Sequence, residues 1–142
     1  SVNLRAPSVL AGMMANALPD GMHGAIIHII DQRVWKLTPE YYSYTLSKSA
    51  LWAATRTMAQ RLAPRIRVNA VGPGPTLASV HDGEAGLLAE AAGTLLGKIV
   101  PPEAIADAVL YLAQARHITG QMLAVDSGQH LSWKTPDIVS GM

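Results

Sequence analysis

The sequence contains no cysteine, which excludes both a disulfide framework and a thiolate metal site. Its absence also fits a reducing compartment. No apolar run approaches the roughly 18 residues that a membrane-spanning helix needs. The opening Ser1-Val2-Asn3 begins no basic-then-apolar leader pattern. Charge is sparse and balanced, with 11 Lys+Arg against 10 Asp+Glu and a net charge of +1. That balance offers no basic face for nucleic acid and no acidic tail. The five histidines lack the spacing of metal ligands, so no metal site is expected. Phenylalanine is absent, and the three tryptophans, Trp35, Trp52 and Trp133, fall in no regular stripe. There is no internal repeat, and no G-x-G-x-x-G cluster follows a first strand.

What remains is an ordinary globular composition: 142 residues, 49% of them hydrophobic, enough for one domain with a real core. Residues 3–18 place Leu4, Val9, Leu10, Met13, Met14 and Leu18 at helical spacing, and "PDG" then turns the chain. "GAIIHIID" is a short continuous apolar run, as expected for a strand buried on both faces. Residues 41–63 form a long helical pattern ended by Pro64. "IRVNAVG" is a second strand, and "PGPT" breaks regular structure after it. Residues 77–100 fit one or two short helices weakened by glycine. "PPEAIADAVLYLAQA" opens with Pro and Glu where a first turn prefers them, and "QMLAVD" is a third strand. Residues 134–142 look like a tail. The order predicts parallel βαβ crossovers and an α/β layered domain. Three strands are few for that architecture, which usually has about five or six.

Chemistry concentrates in three residues. Tyr44 and Lys48 stand four apart, so on a helix they share one face. A nearby ammonium favours the phenolate of a tyrosine and can tune it for proton transfer near neutral pH. Asp31 closes the first strand at its carboxyl end, where open parallel sheets bind ligands. The intervening loop of about ten residues can return the chain so that all three meet, with "PGPT" beside them. His28, in mid-strand, reads as a packed core histidine. Asn69 reads as a group satisfying backbone near a turn, and Asp126 as the cap of the turn at Ser127-Gly128.

Together, "VNLRAP", "YSYTLSKSAL", "RVNAVGPGPT" and "ITGQMLAVDSG" resemble segments of the short-chain dehydrogenase/reductase family. Ser127 stands where that family usually has glycine, and Asp31 where it usually has serine. The aspartate is similar to the pteridine reductase-like branch. The resemblance implies a Rossmann-like, doubly wound parallel sheet, of which this chain is the carboxyl-terminal part with the fifth to seventh strands. The phosphate-binding half is then expected to be absent from these 142 residues. Implied activity is hydride transfer to a C=N or C=O bond, with a pterin as one substrate, NADPH as cofactor and NADH as the alternative.

By the same resemblance, Tyr44 donates the proton and Lys48 tunes it and holds the nicotinamide ribose. Asn3 fixes a water behind the lysine. Asp31 binds the polar edge of the substrate, and Pro73, Gly74 and Thr76 flank the cofactor, with Thr76 at its carboxamide. An ionised Asp31 opposes phenolate formation, so Lys48 must outweigh it or Asp31 must be partly protonated. The family implies a cytoplasmic homodimer or homotetramer built on the helices at 3–18 and 41–63. The rival reading is a truncated, non-catalytic interaction module that keeps the oligomer-forming helices and no cofactor site.

Overall fold

The computed structural model describes residues 4–138. Among the described residues, four α-helices and three strands follow one another as α1 (Arg5–Ala17), β1 (Gly24–Ile29), α2 (Tyr42–Leu62), β2 (Ile66–Pro73), α3 (Gly83–Ala92), α4 (Pro102–Gln114) and β3 (Met122–Val125). Pro7 falls in the first turn of α1, where helix N–H groups have no intrahelical acceptor and proline removes nothing. Pro102 opens α4 and Glu103 lies in its first turn. The stretch 77–100 holds a single described helix, α3, because Gly93 ends it and turns follow.

All three strands are parallel, in the order β1-β2-β3. Gly24 pairs with Ile66, and Ala70 with Met122. The central strand alternates strictly between two covered faces. Ile66 and Val68 pack with Ala59, Met58 and Leu62 of α2 and with Met14 of α1. Val71 points the other way, onto Ala108 and Leu112 of α4. Val68, Ala70 and Val71 have no exposed surface, and each such valine contributes about 1.5–3 kcal/mol by leaving water. This two-sided packing fits a strand whose apolar residues Ile66, Val68, Ala70 and Val71 fall on both faces. The sheet is the doubly wound arrangement expected from the sequence.

Buried polar groups hold the layers in register. Asn69 donates Nδ2 to Ile118 O at 2.8 Å and accepts from Gln121 N at 3.0 Å, fixing the loop that leads into β3. It satisfies backbone, as its place in the sequence suggested. Arg67 donates to the carbonyls of Leu112, Ala113 and Ala115, which closes the carboxyl end of α4. His28 is a core histidine, with Nδ1 2.8 Å from Thr55 Oγ1. The Thr55 hydroxyl gives its one proton to Leu51 O, so the histidine nitrogen must be the donor, which fixes the Nδ1–H tautomer. Burial lowers the pKa of His28.

Candidate active site

Asp31, Tyr44 and Lys48 converge at the carboxyl end of β1. The strand itself ends at Ile29, two residues earlier than "GAIIHIID" suggested. Asp31 instead caps a 3₁₀ turn at Gln32–Val34, its Oδ1 accepting from Arg33 N at 2.8 Å. Ordering by this cap leaves Oδ2 free to face α2, where it accepts a hydrogen bond from the Tyr44 hydroxyl at 2.9 Å. Tyr44 lies in the first turn of α2. One turn on, Lys48 Nζ donates to Ile29 O at 3.1 Å and stands 5.8 Å from the centre of the Tyr44 ring. Asn3 lies outside the described residues.

The electrostatics correct one expectation. The pKa of Tyr44 is raised well above its ordinary value, first by burial, then by the charge of Asp31 and by the hydrogen bond to it; Arg33 opposes weakly. No depression of the Tyr44 phenol by Lys48 emerges. The lysine ammonium is directed at a strand carbonyl, and its own pKa is lowered by burial against the opposing pull of Asp31. Tyr44 is therefore a phenol at neutral pH, equipped to donate a proton, and 42% of its surface is exposed to receive a reactant.

The opposite wall is the turn after β2. Thr76 Oγ1 donates to Gly74 O at 3.1 Å, which folds Gly74–Thr76 back on itself. Gly74 has a packing reason to be glycine: a Cβ there would lie 2.6 Å from Asp126 Cα. Asp126 is 2% exposed and accepts from Gly128 N, His130 N and His130 Nδ1 at 3.0, 2.8 and 2.6 Å. It is the turn cap expected, and its reach extends to a histidine that the sequence had not linked to it.

Between these walls lies a cleft of about 360 Å³, with Asp31, Tyr44, Thr76 and Leu87 on its sides. Sequence reasoning missed several of its groups. Tyr41, which precedes α2 with φ 54°, donates to Asp82 Oδ2 at 3.1 Å, and the Arg33 guanidinium lies 5.0 Å from its ring centre. A tyrosine in left-handed backbone has no sequence signature, although its place just before the Tyr44 helix was a usable hint. The pKa of Tyr41 is raised, first by its hydrogen bond to Asp82.

A phenol donor, a fixed carboxylate and an ammonium at one sheet edge suit proton delivery to a polar unsaturated bond. Among the described residues, no group of His, Asp and Glu is placed to hold a metal ion. No described helix is long and apolar enough to cross a membrane. A family model described as "Enoyl-(Acyl carrier protein) reductase" matches residues 1–130. The dihydromonapterin reductase of Klebsiella pneumoniae subsp. pneumoniae is 36% identical over 133 residues, covering 92% of this chain and 55% of that protein. Its counterpart from Escherichia coli O6:K15:H31 is 33% identical over the same shares. A crystal structure of the FolM alternative dihydrofolate reductase 1 from Brucella canis, complexed with NADP, superposes with a TM-score of 0.93 at 51% identity. It covers 97% of this chain and 55% of that one. The chain thus spans about half the length of the relatives it matches. With the family model covering most of its residues, it belongs to the short-chain dehydrogenase/reductase family.

Proposed function

We propose that these 142 residues form the carboxyl-terminal part of a cytoplasmic, NADPH-dependent reductase that acts on a C=N or C=O bond, with a pterin ring as substrate. One observation carries the reading: the Tyr44 hydroxyl and Lys48 sit beside an acceptor carboxylate, Asp31, at the strand end. A pterin edge presents N–H donors, and Asp31 can accept from them where a serine could also donate. Relatives named for pterin and folate reduction, one of them holding NADP, support the same choice.

The nicotinamide cofactor, when bound, supplies the hydride. The hydroxyl and ammonium of Tyr44 and Lys48 suit a ribose diol, which wants adjacent polar partners, so the residues present fit that end of the group. Pro73, Gly74 and Thr76 would form the neighbouring wall, and Asn3 would hold a water behind Lys48. NADH remains the alternative, since the residues that read a 2′-phosphate follow the second strand of such folds. Tyr44 donates its proton to the substrate, and Asp31 orients both the phenol and the substrate edge. Dimers or tetramers would form through α1 and α2.

In the complete reductase, Tyr44→Phe should lower kcat by about 10²–10⁴-fold, the usual worth of a general acid. Cofactor affinity should fall far less than turnover, because Lys48 still holds the ribose diol. Normal turnover by that variant would remove Tyr44 from the mechanism. The competing reading, a non-catalytic oligomerisation module, draws on the missing glycine-rich phosphate turn. Micromolar NADPH binding by the 142-residue polypeptide alone, read by fluorescence, would exclude it.

A further inference from the structure

Arg33 stands two residues after Asp31, in the 3₁₀ turn that Asp31 caps. Its backbone N–H is held by Asp31 Oδ1. Its half-buried side chain lines the cleft with Asp31 and Tyr44, and the guanidinium carbon lies 5.0 Å from the Tyr41 ring centre. Burial at Tyr44 and the Asp82 hydrogen bond at Tyr41 lead the effects that raise those two pKa values, and the Arg33 charge pulls the other way on both. The guanidinium therefore stands within electrostatic reach of both phenols. Among the described residues its side chain makes no ion pair and no hydrogen bond, and Nε is buried without a partner. Buried polar groups are nearly always paired in folded proteins, so an arginine left open on a cleft wall points to an acceptor brought by a ligand.

The charges around it restrict that ligand. Asp31, Asp82 and Glu90 line the same cleft, three carboxylates against the one guanidinium. An anion would gain Arg33 and face all three. A cation would suit the carboxylates and answer none of the Arg33 donors. A neutral carbonyl oxygen accepts from the planar fork of a guanidinium without either conflict. Asp31 is the complement on the same turn, because its carboxylate accepts and already faces the cleft beside the Tyr44 hydroxyl. The turn thus offers one donor group and one acceptor group, the pattern that a C=O next to an N–H answers.

We propose that Arg33 is a specificity-determining residue of the cleft, donating to the carbonyl oxygen of a ring lactam whose N–H is accepted by Asp31. One residue orients the acceptor through its main chain and supplies the donor through its side chain. The assignment rests on the cleft being the substrate site of a reductase. It narrows the substrate to rings that carry a carbonyl beside an N–H on the edge that meets this turn.

The test measures, by titration calorimetry, how tightly two ligands bind the complete reductase saturated with NADP. One is pterin, with its lactam carbonyl at C4, and the other is 2,4-diaminopteridine, with an amino group there. Pterin should bind at least about tenfold more tightly, because an amino group set against Arg33 leaves donors on both sides unpaired. Arg33→Met keeps the backbone N–H on Asp31 and removes the guanidinium, so the ratio of the two affinities should fall severalfold. Arg33→Gln takes its place if the first variant fails to fold. Equal affinities in the native enzyme would overturn the role of Arg33 and leave the reductase reading standing. A variant that weakens both ligands alike, or neither, would show an arginine with a structural role only and would overturn it too. Binding of neither ligand by the native enzyme would overturn both readings.

Discussion

Asp31 does two jobs with two oxygens. Oδ1 is committed to the Arg33 amide, and Oδ2 receives the Tyr44 hydroxyl. Its charge and its hydrogen bond both hold the phenol protonated, behind the larger effect of burial. Replacing Asp31 with Asn removes the charge and leaves the burial. The Tyr44 titration, followed by ultraviolet difference absorbance, should then move to lower pH, toward the ordinary value of 10.0. An unmoved titration would show that burial alone sets it. The direction matters for catalysis, because a phenol with too high a pKa is a reluctant donor. Tyr41 illustrates a second residue-scale cost. Its left-handed backbone costs about 1–3 kcal/mol in a non-glycine residue. The guanidinium of Arg33 over its ring and the bond to Asp82 are the contacts that hold it there.

At the scale of elements, helices α1 and α2 carry exposed apolar side chains, as do α3 at Leu88 and α4 at Leu110 and Tyr111. Leu10 and Met13 of α1 are 63% and 61% exposed, and Leu46 of α2 is also exposed. A helix that packs one face on its own sheet and shows another to water needs a further partner. Met13→Lys should therefore shift the light-scattering mass of the reductase toward monomer. Fold stability should change by no more than about 0.5 kcal/mol, as for other surface substitutions. An unchanged assembly would place the interface elsewhere. The same elements show what the sequence could reveal. The limits of α2 follow from its Ala- and Leu-rich pattern and from Pro64, and β2 as a strand from its β-branched residues. The turn at Gln32–Val34 was hidden, because a cap by Asp31 and a buried Gln32 look like loop residues in one dimension. So was the partner of Lys48, a strand carbonyl, since backbone acceptors leave no mark in residue identity.

At the scale of the whole molecule, β1 is, among the described residues, the edge of the three-stranded sheet, with Ile29 partly open to water. Such an edge invites pairing with another strand. Its anchorage to the layer beneath runs through His28 and Thr55, and this makes stability depend on pH. Burial holds the His28 pKa below its ordinary 6.5. As pH falls, the unfolded chain takes up the proton first, so stability is intact above about 6.5 and declines from there toward the lower folded value. The denaturant midpoint should fall between about pH 7.5 and pH 5.5 more steeply in the native protein than in His28→Gln. Parallel slopes would assign the dependence to other groups.

Gly74 and Asp126 stand far apart along the chain, yet a side chain on the first would occupy the space of the second. Asp126 in turn holds His130, whose ring lies 5.3 Å from that of Trp35, and Trp35 lies 6.2 Å from Trp52 of α2. The floor under one wall of the cleft is thus continuous with the support of the other. For anyone re-engineering the pocket, position 74 is a fixed bolt. Widening the cleft by substituting there would press on the final turn and, through the edge-to-face rings, on the helix that presents Tyr44. Diversity has to be sought in the outer residues, such as Leu77 and Leu87, which can change size without disturbing that brace.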